Sequence, residues 1–479
     1  MNLQMYSEVI AAVAVLFYLT AILSAVEAIM RVRTAQGAIA WAISLLTVPY
    51  IALPCYWIFG RTKFEGYLEQ KQEIERQTRQ LLQRTHNALD DYLLDYPNDL
   101  PLYNSLYNLS RTPATRGNHV ELLINGQATF DSILGGLETA RRYILIEFYI
   151  IRDDDLGARF TRILSQKAQS GVKVFLLYDE IGSRNFHRTR MCKQLRQTGV
   201  RVAAFNTTQG HRNRFQLNFR NHRKIVVVDG EQAWVGGHNI GDEYLGLSKR
   251  HGFWRDTHLR LRGPAVLGTE LAFATDWRWA TRSPLDIQLR LESRPCGDAN
   301  VLVFASDPAS TMEEAGLMFH QVIVEARHRI WIASPYFVPD RGIISALQLA
   351  ALRGVDVRLI IPDQPDGPVV GMANWAFTRE LLPAGVKVYR YQGGFMHQKV
   401  LLMDNTVAGV GTANFDNRSF RLNFEITLLV HNAEFCDQVQ TMLEEDINHS
   451  RRVTPQEIAD KPPWFPLGMG IARLFAPIL

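Results

Sequence analysis

Cysteine is scarce in this chain. Four occur in 479 residues (Cys55, Cys192, Cys296 and Cys436), far apart and with no CxxC pair. That spacing argues against a disulfide framework and against the usual zinc patterns, and it fits a reducing compartment. A large excess of one charge is also missing. The formal net charge is +4, which suits an anionic membrane surface but lacks the basic bias of a nucleic-acid-binding protein. No low-complexity tract occurs, and 47% hydrophobic with 21% charged residues is the composition of a folded protein. The length allows more than one globular unit.

Charge is absent altogether from two stretches near the N-terminus. Val9–Val26 is 18 residues without a charge, and after "EAIMRVR" the run Thr34–Gly60 adds 27 more. A bilayer core needs about 20 apolar residues of helix, so residues 1–60 are expected to form a two-helix transmembrane hairpin, its second run either tilted or bent at Pro49 and Pro54. The opening "MNLQMYSE" has no basic segment of the kind that begins a cleaved signal peptide. The connector carries Arg31 and Arg33, whereas Arg61, Lys63, Lys71 and Arg76 follow the hairpin. That balance puts the N-terminus and the large domain on the cytoplasmic side. Residues 61–115 read as a charged helical linker, with Pro97, Pro101 and Pro113 breaking the pattern.

Beyond the linker an α/β pattern occurs twice, at 116–295 and 296–455. Helix-then-strand units such as "RILSQKAQSGVKVFLLYD" and "LQLAALRGVDVRLIIPD" share Gly-Val landmarks at Gly171, Gly199, Gly354 and Gly385. Apolar strands alternating with helices predict a parallel or mixed sheet covered on both faces. The first copy has an insertion before its histidine, within "TTQGHRNRFQLNFRN", whose arginines and aromatics fit either anionic headgroups or a solvated loop. The apolar tail at 456–479, with "KPPWFPLGMGIARLFAPIL", either lies in a membrane interface or packs on the domain.

Each copy carries His-x-Lys-x4-Asp: His222, Lys224 and Asp229, then His397, Lys399 and Asp404. In an extended chain His and Lys share a face, whereas the Asp lies an odd number of residues away and reads as a structural anchor. After six intervening residues come "GGHN" and "GTAN", ending at Asn239 and Asn414. Two imidazoles, two ammonium groups and two amides suit displacement at an anionic phosphorus. One histidine attacks, the other protonates the leaving oxygen, and lysines and asparagines hold the remaining oxygens. Asp256 and Glu425, on the strands that follow, are candidates to orient the histidines. Neither motif has a second ligand at metal-binding spacing, and the lysines supply the positive charge, so no metal is expected.

The duplicated motif resembles the signature of the phospholipase D superfamily, and within it the chain is similar to bacterial cardiolipin synthases. The likeness extends over the hairpin, both repeats, "SPYFVPD" (Ser334–Asp340) and "GTANFDNRSFRLNFEITL" (Gly411–Leu428). It implies two pseudo-symmetric α/β lobes sharing one active site, and a multi-pass protein of the bacterial inner membrane. His222 would form a phosphohistidine and His397 would act as acid, then base. The catalytic set would be His222, Lys224, Asp229, His397, Lys399 and Asp404, with Asn239 and Asn414 on phosphate. The implied reaction joins two phosphatidylglycerol molecules into cardiolipin and glycerol, with no cofactor and no nucleic-acid partner. Many relatives have Ser or Thr where this chain has Gly237. The motif also serves hydrolases of lipids or nucleic acids, and a non-catalytic lipid-binding scaffold is a further alternative.

Overall fold

The computed structural model describes residues 2–32, 34–60, 92–94, 101–110, 112–205, 218–248, 252–288, 295–310 and 312–479. Most of the charged linker and of the insertion, including Arg212, Arg214, Phe215 and Leu217, lies outside the described residues.

The N-terminal unit is helical. Asn2–Arg31 is one unbroken helix, and its stretch Met5–Arg31 is long and apolar enough to cross a membrane. The second apolar run is interrupted at Pro49, the first of the two prolines where a bend is expected. Thr34 caps Ala35–Thr47 by accepting from Gly37 N at 3.2 Å, and that helix stops at Val48 (φ −133°, ψ 57°). Pro49, which has no N–H to give to a preceding turn, opens Pro49–Cys55, and Tyr56–Gly60 closes with a wider π turn. Ala25, Ala28 and Ala52 allow close helix approach, and Leu45, Leu53 and Tyr56 fill the seam.

The second unit is built on a continuous mixed sheet. Its first half comprises β1 (Thr115–Ile124), β2 (Tyr143–Phe148), β3 (Lys173–Asp179), β4 (Arg201–Phe205), β5 (Ile225–Val228), β6 (Gln232–Gly236) and β7 (Thr257–Arg262). The second half comprises β8 (Ala299–Ser306), β9 (Arg329–Ala333), β10 (Asp356–Pro362), β11 (Lys387–Tyr391), β12 (Val400–Met403), β13 (Val407–Gly411) and β14 (Asn423–His431). The order is β4-β3-β2-β5-β6-β7-β1-β8-β14-β13-β12-β9-β10-β11, with Ser450–Arg452 added at the last edge. Read from either end, the two halves have the same plan, and they meet where β1 and β8 pair antiparallel. β2, β3 and β4 run parallel, as do β9, β10 and β11, while β5–β7 and β12–β14 are antiparallel meanders. The landmark glycines Gly171, Gly199, Gly354 and Gly385 all have φ between 90° and 97°, the left-handed turn that lets a helix end and a strand begin at once.

Asp229 and Asp404 end the two motif strands. Both adopt left-handed backbone (φ 55° and 52°). Asp229 accepts from the backbone N–H groups of Arg141, Arg142 and Tyr143 at 2.7–2.8 Å. Asp404 accepts from those of Arg327, His328 and Arg329 at 2.8–3.1 Å. These carboxylates tie each motif hairpin to the start of the neighbouring strand, which is the anchoring duty their odd spacing implies, rather than the reactive one implied by the family signature. Asp229→Ala or Asp404→Ala should therefore destabilise the fold by about 3 kcal/mol, the scale of losing charge-assisted hydrogen bonds. Denaturant titration in detergent reads this, and an unchanged midpoint with lost turnover would return both residues to the reactive set.

Candidate active site

Two short backbone pairings build the site. Arg220–Asn221 lies parallel to the start of β14, with Asn221 opposite Phe424, and His222 N donates to Phe424 O at 2.9 Å. Phe395–Met396 lies parallel to Trp254–Arg255, and His397 N donates to Arg255 O at 2.8 Å. Each motif histidine thus sits one residue beyond a pairing with the opposite repeat. The next residue on the partner segment is the orienting carboxylate.

The pairing is therefore crossed. His222 Nδ1 lies 3.0 and 3.1 Å from the two Glu425 carboxylate oxygens and 3.1 Å from the carbonyl of Thr412. His397 Nδ1 lies 2.7 Å from Asp256 Oδ2. A carboxylate on Nδ1 fixes the Nδ1–H tautomer and leaves the Nε2 lone pair for chemistry. Glu425 is itself held by Thr412 Oγ1 at 2.5 Å, Ser419 Oγ at 2.9 Å and Asn423 Nδ2 at 2.9 Å.

Both histidines and both lysines are buried. Burial pushes His222 down to about 4, against the pull of Glu425, and His397 down to about 3, with Lys399 adding to the effect. Lys224 is lowered to about 7 and Lys399 to about 8, again by burial first. Burial disfavours the Asp256 and Glu425 anions, yet His238, His397 and Lys399 around Asp256, and His222 and Lys224 around Glu425, hold both below their ordinary values. Lys224 Nζ donates to His222 O at 2.7 Å, and Lys399 Nζ donates to His397 O, so each ammonium is fixed by its own motif.

The asparagines are not equivalent. Asn239 Oδ1 accepts from Ile150 N at 3.0 Å and its amide donates to the Tyr244 hydroxyl at 2.7 Å, which engages both ends within the first repeat. Asn414 Oδ1 is buried with no partner among the described residues. Gly237 is required by space. A Cβ there would fall 2.0 Å from Asp256 Oδ1, at the position where Thr412 in the second copy bonds Glu425. Thr412, Ser419 and Asn423 escaped the residue-by-residue reading, although all three lie in the string around Glu425. Arg223, which by sequence groups with the insertion's arginines as a headgroup contact or part of a solvated loop, is instead buried. It donates to Glu425 O at 3.1 Å, Ser306 O at 2.9 Å and Asp276 Oδ2 at 2.7 Å.

The family model described as cardiolipin synthase, PLD-like domain, matches residues 133–251 and 319–447. Cardiolipin synthase A of Pseudomonas entomophila (strain L48) is 45% identical over 467 residues, 97% of each chain. Cardiolipin synthase A of Pseudomonas aeruginosa PAO1 is 46% identical over 464 residues, 95% of this chain and 93% of that one. This chain belongs to the phospholipase-D-like cardiolipin synthase family. The fold agrees with that membership. The crystal structure of phosphatidylserine synthase from Haemophilus influenzae Rd KW20 superposes with a TM-score of 0.61 at 16% identity, over 79% of this chain and all of that one.

In a site of this family built on crossed pairs, each carboxylate substitution should strike the histidine of the other repeat. Asp256→Asn should release the His397 tautomer and leave that of His222 fixed, and Glu425→Gln should do the reverse. Side-chain nitrogen NMR of histidine-labelled protein reads both, and turnover should fall by about 10²–10⁴. A disturbance confined to the histidine of the same repeat would contradict the crossed arrangement.

Proposed function

We propose that this chain is a cardiolipin synthase working by two-step phosphatidyl transfer. The crossed imidazole–carboxylate pairs with two buried lysines beside them carry the reading, because they supply a nucleophile, an acid and two cations around one anionic phosphorus. His222 Nε2 attacks the phosphorus of one phosphatidylglycerol, its P–O bond to the headgroup breaks, and glycerol leaves with a proton from His397. His397 then takes the proton of the terminal hydroxyl of a second phosphatidylglycerol. That oxygen attacks the phosphohistidine, the P–N bond breaks, and cardiolipin is released with His222 regenerated. Lys224, Lys399 and Asn414 hold the non-bridging oxygens. Asn239, engaged at both ends, shapes the wall near His397 through Tyr244.

A lipid substrate accords with the N-terminal apolar helix, which keeps the site at a bilayer. The second, interrupted run completes a hairpin in this reading, with the catalytic unit in the cytoplasm. The tail adds a further contact. Helix Phe465–Leu474 buries Phe465, Met469 and Ala472 in the second repeat, while Trp464, Leu467, Ile471 and Leu474 face outward at 50–78% exposure. One face packs and the other suits the membrane interface.

Purified protein in mixed micelles with headgroup-labelled phosphatidylglycerol as sole lipid should form cardiolipin and matching glycerol without a nucleotide. His222→Ala and His397→Ala should each abolish it. Wild type quenched in neutral denaturant should carry the phosphatidyl group on His222. Phosphatidic acid as the only product would make the protein a hydrolase.

The pH dependence follows from the site. As pH falls through about 4, His222 gains a proton and loses its nucleophilic lone pair. As pH rises through about 7 to about 8, Lys224 and then Lys399 lose the charge that grips phosphate. The kcat profile, which reads the enzyme with the phosphodiester bound, should fall toward acid pH as His222 gains a proton and toward alkaline pH as His397 loses the proton it must deliver and the lysines lose their charge, and a flat profile from acid to alkaline pH would contradict it.

A further inference from the structure

Tyr244 stands five residues after Asn239 and is buried, and none of the transfer steps uses its hydroxyl. Its ring lies edge-on to His397, with centroids 6.3 Å apart. It also packs 4.8 Å from Trp254, which itself lies 5.3 Å from His397. The hydroxyl reaches Asn239, whose Nδ2 donates to it at 2.7 Å. Asn239 Oδ1 in turn accepts from Ile150 N at 3.0 Å, next to Tyr149, and the Tyr149 ring is 5.1 Å from that of His222. The phenol oxygen therefore lies on a chain of contacts that runs from one motif histidine to the other.

A hydroxyl has one proton to give and two lone pairs. The Asn239 amide occupies one lone pair of Tyr244, and the proton has no acceptor among the described residues. Burial holds the phenol well above its ordinary range, so the proton stays on oxygen at any working pH. A buried donor without an acceptor is costly, and an anionic substrate brings the acceptor. The second repeat uses the same position differently. Five residues after Asn414 stands Ser419, whose hydroxyl accepts from Asn414 N at 3.0 Å and donates to Glu425 at 2.9 Å. Tyr244 has no such duty, because Asp256 is held by Thr257 N at 2.8 Å and by His397.

We propose that the Tyr244 hydroxyl donates a hydrogen bond to a non-bridging oxygen of the phosphodiester under attack, and that Asn239 is a positioning residue acting through it. The inference rests on the transferase reading and deepens it. An N–H given to the phenol oxygen polarises the O–H bond and makes it a stronger donor. As His222 attacks, negative charge redistributes over the non-bridging oxygens, so a donor fixed beside them counts for more in the transition state than in the ground state. The two repeats then hold the phosphate with different groups, an amide from Asn414 and a phenol from Tyr244.

The test is a double-mutant cycle in the full-length protein, assayed in mixed micelles of phosphatidylglycerol. Tyr244→Phe keeps the ring against His397 and should lower kcat about 10²-fold, the scale of one lost donor to developing charge, with KM moving much less. Asn239→Ala should lower kcat about tenfold in the wild type but less than about twofold in the Tyr244→Phe background, because its effect passes through the phenol. Circular dichroism should show both variants folded. A Tyr244→Phe rate within twofold of wild type would overturn the proposal, and so would an Asn239→Ala loss of equal size in both backgrounds. Calorimetric titration with inorganic phosphate separates this from the transferase reading. If the wild type makes no cardiolipin but binds phosphate, and Tyr244→Phe weakens that binding about tenfold, the donor stands and the transferase falls. For such an inactive wild type, equal binding by both proteins, or none by either, overturns the donor.

Discussion

The hydrogen bond between each catalytic-type histidine and a carboxylate from the opposite repeat is the constraint on which the rest of the structure depends. Neither repeat can orient its own imidazole. His222 reaches Glu425 across 203 residues of sequence and His397 reaches Asp256 across 141. Two parallel backbone pairings set the register of those contacts, and a shift by one residue would turn histidine and carboxylate to opposite faces. The β1–β8 junction, the meanders and the anchoring aspartates can then be understood as the frame that keeps four short segments in register. A half-site is therefore unoriented, and a competent centre exists only where both repeats have closed on each other.

The two halves share a plan but not a side-chain list, and the differences compensate. Around His397, Arg255 of the first repeat pairs with Asp446 at 2.6 and 2.8 Å, and Gln398 also donates to Asp446 at 2.7 Å. Around His222 the cation has moved to the other partner. Arg223 replaces Gln398, pairs with Asp276 at 2.7 Å and lies over Phe424, which stands where Arg255 would be. Each half thus keeps one buried arginine–aspartate pair beneath its histidine, from different chain positions. Removing one member would strand a buried charge. The Gly237–Asp256 and Thr412–Glu425 combinations follow the same logic: the carboxylate fills the space in one half that a threonine fills in the other.

Much of this was legible in the sequence because it is repeated. Short strings that recur in order, His-x-Lys-x4-Asp and Gly-x-x-Asn, marked the lobes, the histidines, the lysines and both orienting carboxylates. Which carboxylate serves which histidine was not legible, because backbone pairing between distant segments decides it. The unequal asparagines were hidden for a related reason. Asn239 is engaged by Tyr244 and Ile150, neighbours whose contacts depend on how the turn after β6 folds back. In the N-terminal unit the prolines Pro49 and Pro54 marked the place of a bend in the second apolar run, but not that the first of them would end one helix and open another. That interruption depends on one residue's backbone angles at Val48, ahead of Pro49.

The charge balance of the site links its electrostatics to its chemistry. With both histidines neutral, the two ammonium groups of Lys224 and Lys399 are offset by the two carboxylates of Asp256 and Glu425. The empty centre is then close to neutral, which is what makes so dense a set of buried ionisable groups tolerable. A phosphodiester brings one negative charge into that low-dielectric space. The least costly compensation is a proton, because an anion near a depressed imidazole raises its affinity for one. On the proposed scheme that proton is the one His397 must deliver to the leaving glycerol. The same burial that keeps one histidine unprotonated for attack thus lets substrate binding protonate the other, and the two opposite protonation states needed for transfer arise from a nearly symmetric pair.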